Sequence, residues 1–257
     1  RGLYGRLMGR SRIALFRRIG VRVQLGARND EFFAAQGTPQ ARFVADSFSE
    51  SLLASASLAS LPDPDSKAVL VEANALLFAD IPGYLTRLEV AFRLPFALDA
   101  RNTAITGVNN GERLTGLQVQ AHYAVPKLPA PPLNPPPAAV PTPPPPRATP
   151  DPRSLFVSFY YSFAPLPASP MTPRLADQRV GHFTASRVNY SVDTAIKPRV
   201  HYVKRWRLEK QNPAAALSEP KQPIVYWIDR NVPEKYRKSV AAGVLEWNRA
   251  FERIGFK

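Results

Sequence analysis

Three histidines, His122, His182 and His201, are the side chains here best suited to proton transfer or metal binding. His182 and His201 stand nineteen residues apart in two strand-like segments. A two-histidine metal site across neighbouring strands is one chemistry they could serve, yet no carboxylate stands at ligand spacing from them. His122 falls on the polar face of its own strand. No HExxH occurs, so no helix offers two histidines one turn apart with a general-base glutamate. P-loop, GxGxxG and GxSxG patterns are also missing. Cysteine is absent, which removes disulfides and thiolate metal sites. Asp229 ends an apolar run, where an aspartate can be a functional acid or can cap the following turn. The residues alone complete no active site, and none is assigned a catalytic, cofactor-binding or metal-ligating role.

The elements that would position these groups read mostly as strands. In LFRRIGVRVQL two β-like runs flank Arg17-Arg18-Ile19-Gly20, and Gly20 can take the positive φ such a turn needs. Val21, Val23 and Leu25 alternate with Arg22 and Gln24, which turns Arg22 outward. From Phe43 to Leu61 the pattern has period two, as in a half-buried strand, and LPDPD (61–65) is a turn cluster. AVLVE (68–72) reads as a strand, Asn74 as the cap of one helical turn, and Pro82-Gly83 as its end. LQVQAHYAV (117–125) places Leu117, Val119, Ala121, Tyr123 and Val125 on one face, and LFVSFYYSF (155–163) does the same with Leu155, Val157, Phe159, Tyr161 and Phe163. RVGHFTASRVNY (179–190) and HYVKRWRLEK (201–210) are also strand-like.

Composition narrows the class. A chain of 257 residues with 45% hydrophobic residues can build a core, and 28 prolines exclude an all-helical protein. Fourteen of those prolines crowd residues 126–152, which predicts a solvated polyproline II excursion between two strands, with docking of a proline-reading module as the alternative. No run of about 18 apolar residues occurs, so no membrane-spanning helix is expected. The formal charge is +14, and residues 1–29 hold eight arginines (Arg1, Arg6, Arg10, Arg12, Arg17, Arg18, Arg22 and Arg28) with no acid. That arm could bind nucleic acid or another polyanion, but no nucleic-acid motif accompanies it, and solvated strand faces account for the same charge.

Toward the end of the chain the signals converge. IVYWID (224–229) reads as a buried strand, and a helix follows it. Pro233 suits the first helical turn and Glu234 the positive end of the helix dipole. Tyr236, Val240, Val244, Trp247, Phe251 and Ile254 form one apolar stripe, and Gly255 is placed for a left-handed cap followed by Phe256.

Taken together, MTPRLADQRVGHFTAS (171–186) and YVKRWRLEKQNPAAALSEPKQPIVYWIDRNVPEKYRKSVAAGVLEWNRAFERIGFK (202–257) resemble a family of bacterial zinc-dependent metalloproteases with N-terminal domains of unknown function. SFSESLLAS and VLVEANALLFAD are weaker echoes of it, and the proline loop looks like an insertion peculiar to this sequence. His182 stands where that family has an aromatic residue, usually tyrosine, which argues against a zinc role for it. The resemblance implies a parent whose metzincin-like catalytic domain follows the helix, with an HExxH helix holding Zn²⁺ and activating water for peptide hydrolysis.

None of those zinc residues lies within 1–257, so these residues are expected to be catalytically inert and to bind no zinc themselves. The expected fold is α+β, mostly β: an antiparallel β-rich domain over 1–210, a connector over 211–223, and the first strand and helix of a metzincin-like α/β domain over 224–257. Its expected partners are the catalytic domain of the same chain and, in the parent, a peptide substrate. A bacterial periplasmic or secreted location follows by resemblance only. The competing reading is a non-enzymatic module binding nucleic acid or anionic polymers through the arginine-rich arm. A purely structural β-domain is a third.

Overall fold

The computed structural model describes residues 14–28, 30–112, 114–130, 143–147 and 149–257. The arginines Arg1, Arg6, Arg10 and Arg12, and residues 131–142 and 148 of the proline run, lie outside those residues. The protein is α+β and mostly β, with chiefly antiparallel sheets. It divides into two compact units: one runs to Ala168 and adds Val188–Pro198, and the other comprises Ser169–Arg187 and Arg199–Lys257.

The first unit opens on a hairpin of β1 (Ala14–Ile19) and β2 (Arg22–Ala27), paired Ile19↔Arg22 across Gly20-Val21. Gly20 has φ +57°, the conformation the turn requires. Val23, Leu25 and Ala27 are buried as the alternation predicts, but Val21 sits in the turn and is exposed. After the two-residue β3 (Phe32–Phe33) comes α1 (Pro39–Ser47), where a strand was expected to begin. Its start has ordinary helix signals: the Thr38 hydroxyl accepts from the Ala41 N–H at 3.2 Å, and Pro39 fills the first turn. The period-two strand is confined to β4 (Ser51–Ser57), which pairs with β2.

Residues 68–72 make only an isolated bridge, Leu58↔Val71, instead of a strand, because α2 (Ala73–Leu77) begins at once. Glu72 rather than Asn74 stands at its N-cap. Beyond Pro82-Gly83 a further helix forms, α3 (Tyr84–Phe92), held at its start by Asp80, whose carboxylate accepts from the N–H groups of Tyr84 (2.8 Å) and Leu85 (3.0 Å).

The central sheet is β5 (Ala97–Asn110), β6 (Thr115–Ala124) and β7 (Ser154–Phe163), antiparallel throughout. The alternation read in β6 and β7 holds: Val119, Ala121, Tyr123 and Val125 point inward, while Gln118, Gln120 and His122 line the other face. Its inner face is covered at one end by α3, through Tyr84 and Leu88 against Ala121 and Tyr123. At the other end Leu25, Ala54, Ala56, Leu76 and Leu77 gather about Val119. The segment 188–198 returns to this unit along β3, where Phe32 stacks on Phe48 with ring centroids 3.9 Å apart and Tyr190 packs beside them.

In the second unit the first residues of β8 (Thr184–Asn189) lie beside β9 (Arg199–Val203). Residues 224–229 form no strand: they join no ladder among the described residues, and Val225, Tyr226 and Trp227 are exposed, Trp227 to 91%. An apolar run makes a strand only where a neighbouring backbone completes its hydrogen bonds. The expected single helix is two, α4 (Glu234–Leu245) and α5 (Asn248–Arg253). Trp247 and Ala250 donate three residues back, to Val244 and Trp247, a tightened turn that separates them. Pro233 occupies the N-cap rather than the first helical position.

Gly255, at φ +88°, closes α5 as expected. Its N–H donates to Glu252 O, and the Phe256 N–H reaches back to Phe251 O at 3.0 Å, the paired bonds of a Schellman ending. The connector holds this end: Ser218 N–H donates to Gly255 O, and Lys257 N–H to Ser218 O.

Candidate functional site

Among the described residues, a constellation with acid–base geometry arises where β5, β6 and β7 lie side by side. In register, Asp99 faces His122, and His122 faces Phe156, with Ser154 two residues along β7 on the same face. His122 Nδ1 is 2.9 Å from Asp99 Oδ2, and its Nε2 is 2.8 Å from Ser154 Oγ. The imidazole side chain is only 12% exposed, and the Phe156 ring lies beside it with centroids 4.7 Å apart.

A bulge aims the carboxylate. The pairing skips from Asp99 to Ala104, and the chain between them loops out. Thr103, buried at the base of the loop, donates its hydroxyl to Asp99 O and accepts from the His122 N–H. Asp99 accepts from the Asn102 side chain at 2.6 Å and from the Arg101 N–H at 3.1 Å. The Asn102 amide first, and His122 second, push its pKa down to about 2. An ionised carboxylate only accepts, so Nδ1 donates to Asp99, and whenever the ring carries that single proton Nε2 is an acceptor for the Ser154 hydroxyl. This order of carboxylate, imidazole and hydroxyl can draw a proton off the serine. The Ser154 N–H, however, donates to Asp151 O at 3.2 Å. Arg153 pairs with Asp151 at 2.7 Å and holds that carboxyl at about 2 as well.

Sequence reasoning missed this arrangement. The sequence puts His122 on the polar face of its strand, and the alternation of β7 carries Ser154 and Phe156 on one face, but β5 has no clear alternation to mark it. Two register shifts break its period, and without that strand nothing brings Asp99 to His122.

The other candidates are placed differently. His182 and His201 both line one surface cavity of about 500 Å³, together with Asp177 and Arg199. Asp177 is engaged by Arg179 at 2.6 Å, which lowers its pKa. Among the described residues no three His, Asp or Glu side chains are grouped as a metal site needs. Asp229 accepts from the Asn231 N–H at 2.7 Å and so caps the turn before α4. Of the arginine arm, Arg17 pairs with Glu50 at 2.9 Å. The apolar stripe lies largely open: Tyr236, Val240, Ile254 and Trp247 are exposed, Trp247 to 67%.

Fold and site together define a β-rich α+β domain whose central sheet carries a half-buried Asp–His–Ser network on its outer face. The family profile called "Domain of unknown function (DUF5117)" matches residues 7–211, and the chain belongs to that family. No curated protein and no solved structure matches it. Among the described residues no helix is long and apolar enough to cross a membrane.

Proposed function

We propose that this chain is the N-terminal portion of a zinc-dependent metallopeptidase, in which the β-rich domain packs on the catalytic domain and positions or shields it. The observation that carries this reading is the resemblance over 171–257, which ends in the run VPEK and the segment GVLEWNRAFERIGF. Membership of a family of unknown function over 7–211 is compatible with it. The exposure of Trp227, Tyr236, Val240 and Trp247 supports it physically, because each large apolar side chain left in water forgoes roughly 1.5–3 kcal/mol of burial. A catalytic domain of the same polypeptide would cover them. Zinc would be held there, by ligands outside residues 1–257, and these residues by themselves hydrolyse no peptide. A periplasmic or secreted location belongs to the same proposal.

Hydroxyl-radical footprinting tests the packing. Trp227 and Trp247 are expected to oxidise readily in the chain of 257 residues and to be protected in the full-length gene product. Equal oxidation of both tryptophans in the two proteins would sink the proposed packing.

A further inference from the structure

We propose that Ser154 is a nucleophile activated by His122 and Asp99, and that it reacts with activated acyl and phosphonyl esters rather than with amides. The three side chains come from three neighbouring strands and meet at 2.9 and 2.8 Å in the order that moves a proton from hydroxyl to imidazole. The bulge in β5 serves that order, because it turns the Asp99 carboxylate onto Nδ1 and fixes the loop through Thr103. A polar clamp between strands needs hydrogen bonds of any polarity. Here the ionised Asp99 fixes the tautomer, leaving Nε2 as the base facing Ser154. Phe156, exposed beside the imidazole, offers an apolar wall for an acyl chain.

The substrate class follows from what stands next to the hydroxyl. The Ser154 N–H is already donated to Asp151 O, so the main-chain donor that would most directly meet a developing oxyanion is occupied. Loss of one such donor slows acyl transfer about 10²–10³-fold. Good leaving groups tolerate that loss and amides do not.

In the reaction Ser154 Oγ bonds to the carbonyl carbon as its proton passes to His122 Nε2. The ester C–O bond then breaks, and the leaving oxygen takes the proton from Nε2. Water attacks the acyl-serine and gives a proton to Nε2; Oγ regains it as the carboxylic acid departs. With a fluorophosphonate, Oγ bonds to phosphorus, fluoride leaves, and the proton on Nε2 passes to water. No metal takes part, so this proposal and the peptidase reading stand or fall separately.

The test is labelling of the 257-residue chain with a reporter-tagged fluorophosphonate at neutral pH, the adduct mapped by mass spectrometry. The adduct is expected on Ser154, lost in Ser154→Ala and insensitive to a zinc chelator. Ser158→Ala, which removes the next hydroxyl on that face of β7, should label like the parent. His122→Gln and Asp99→Asn should each slow labelling about a hundredfold or more, with far-UV circular dichroism confirming that at least one of them is folded. Absence of an adduct on the folded parent protein would overturn the proposal. So would a labelling rate that survives in whichever of the two variants is folded.

Discussion

Removing the Asp80 carboxylate should destabilise the β-rich unit more than a surface acid normally would. In Asp80→Ala two N–H groups at the start of α3, those of Tyr84 and Leu85, lose their acceptor. Loss of a helix-start acceptor costs about 0.5–2 kcal/mol. The Tyr123 hydroxyl, which donates to Asp80 at 3.3 Å, also loses its partner in a side chain only 1% exposed. A buried hydroxyl left unsatisfied costs about 1–3 kcal/mol. The two terms share one residue and overlap, which gives roughly 2–4 kcal/mol and a melting temperature lower by roughly 5–12 °C for a chain of this size. Tyr123→Phe isolates the second term, since Asp80 keeps its two main-chain donors, and should cost roughly 1 kcal/mol. Urea unfolding followed by far-UV circular dichroism, on the parent, both single variants and the double variant, gives the coupling between them. A loss below about 0.5 kcal/mol in Asp80→Ala, the range of ordinary surface changes, would show that Asp80 neither caps α3 nor satisfies Tyr123.

Two other perturbations follow from the structure. Gly255→Ala places a Cβ at φ +88°, 2.6 Å from both Ala216 O and Lys210 Nζ. It should cost roughly 1–3 kcal/mol and speed hydrogen exchange of the Phe256 and Gly255 amides; unchanged exchange would contradict the cap. Asp99 titrates near 2 in the folded protein against an ordinary 3.8, so its stabilising contribution is complete above about pH 4 and is lost as pH falls toward 2. An acid titration of Asp99→Asn should accordingly lose less stability than the parent across that window, and parallel curves would show the carboxylate to be unperturbed.

How much of this was legible in the sequence depended on local period. β2, β6 and β7 alternate cleanly and formed where their patterns lay, whereas the strand expected over 43–61 formed only as β4. The Schellman ending at Gly255 was readable for the same reason, because a cap is a local conformation of one glycine and the residue after it. Residues 224–229 failed because an apolar run says nothing about whether a ladder partner exists. α1 was overlooked although Thr38-Pro39 is a helix start, since the strand-like alternation downstream was extended across it. The Asp99–His122–Ser154 network was out of reach for a different reason. It depends on cross-strand register and on a bulge in β5, and both are tertiary facts with no short-range signature.

Zinc stoichiometry of the purified full-length gene product tests most directly the proposal that this family domain belongs to a zinc peptidase. About one zinc per chain is expected, with peptide hydrolysis that is lost on chelation and restored by zinc, and with an HExxH-type motif encoded beyond Lys257. A metal-free, folded full-length protein with no such motif would contradict the claim.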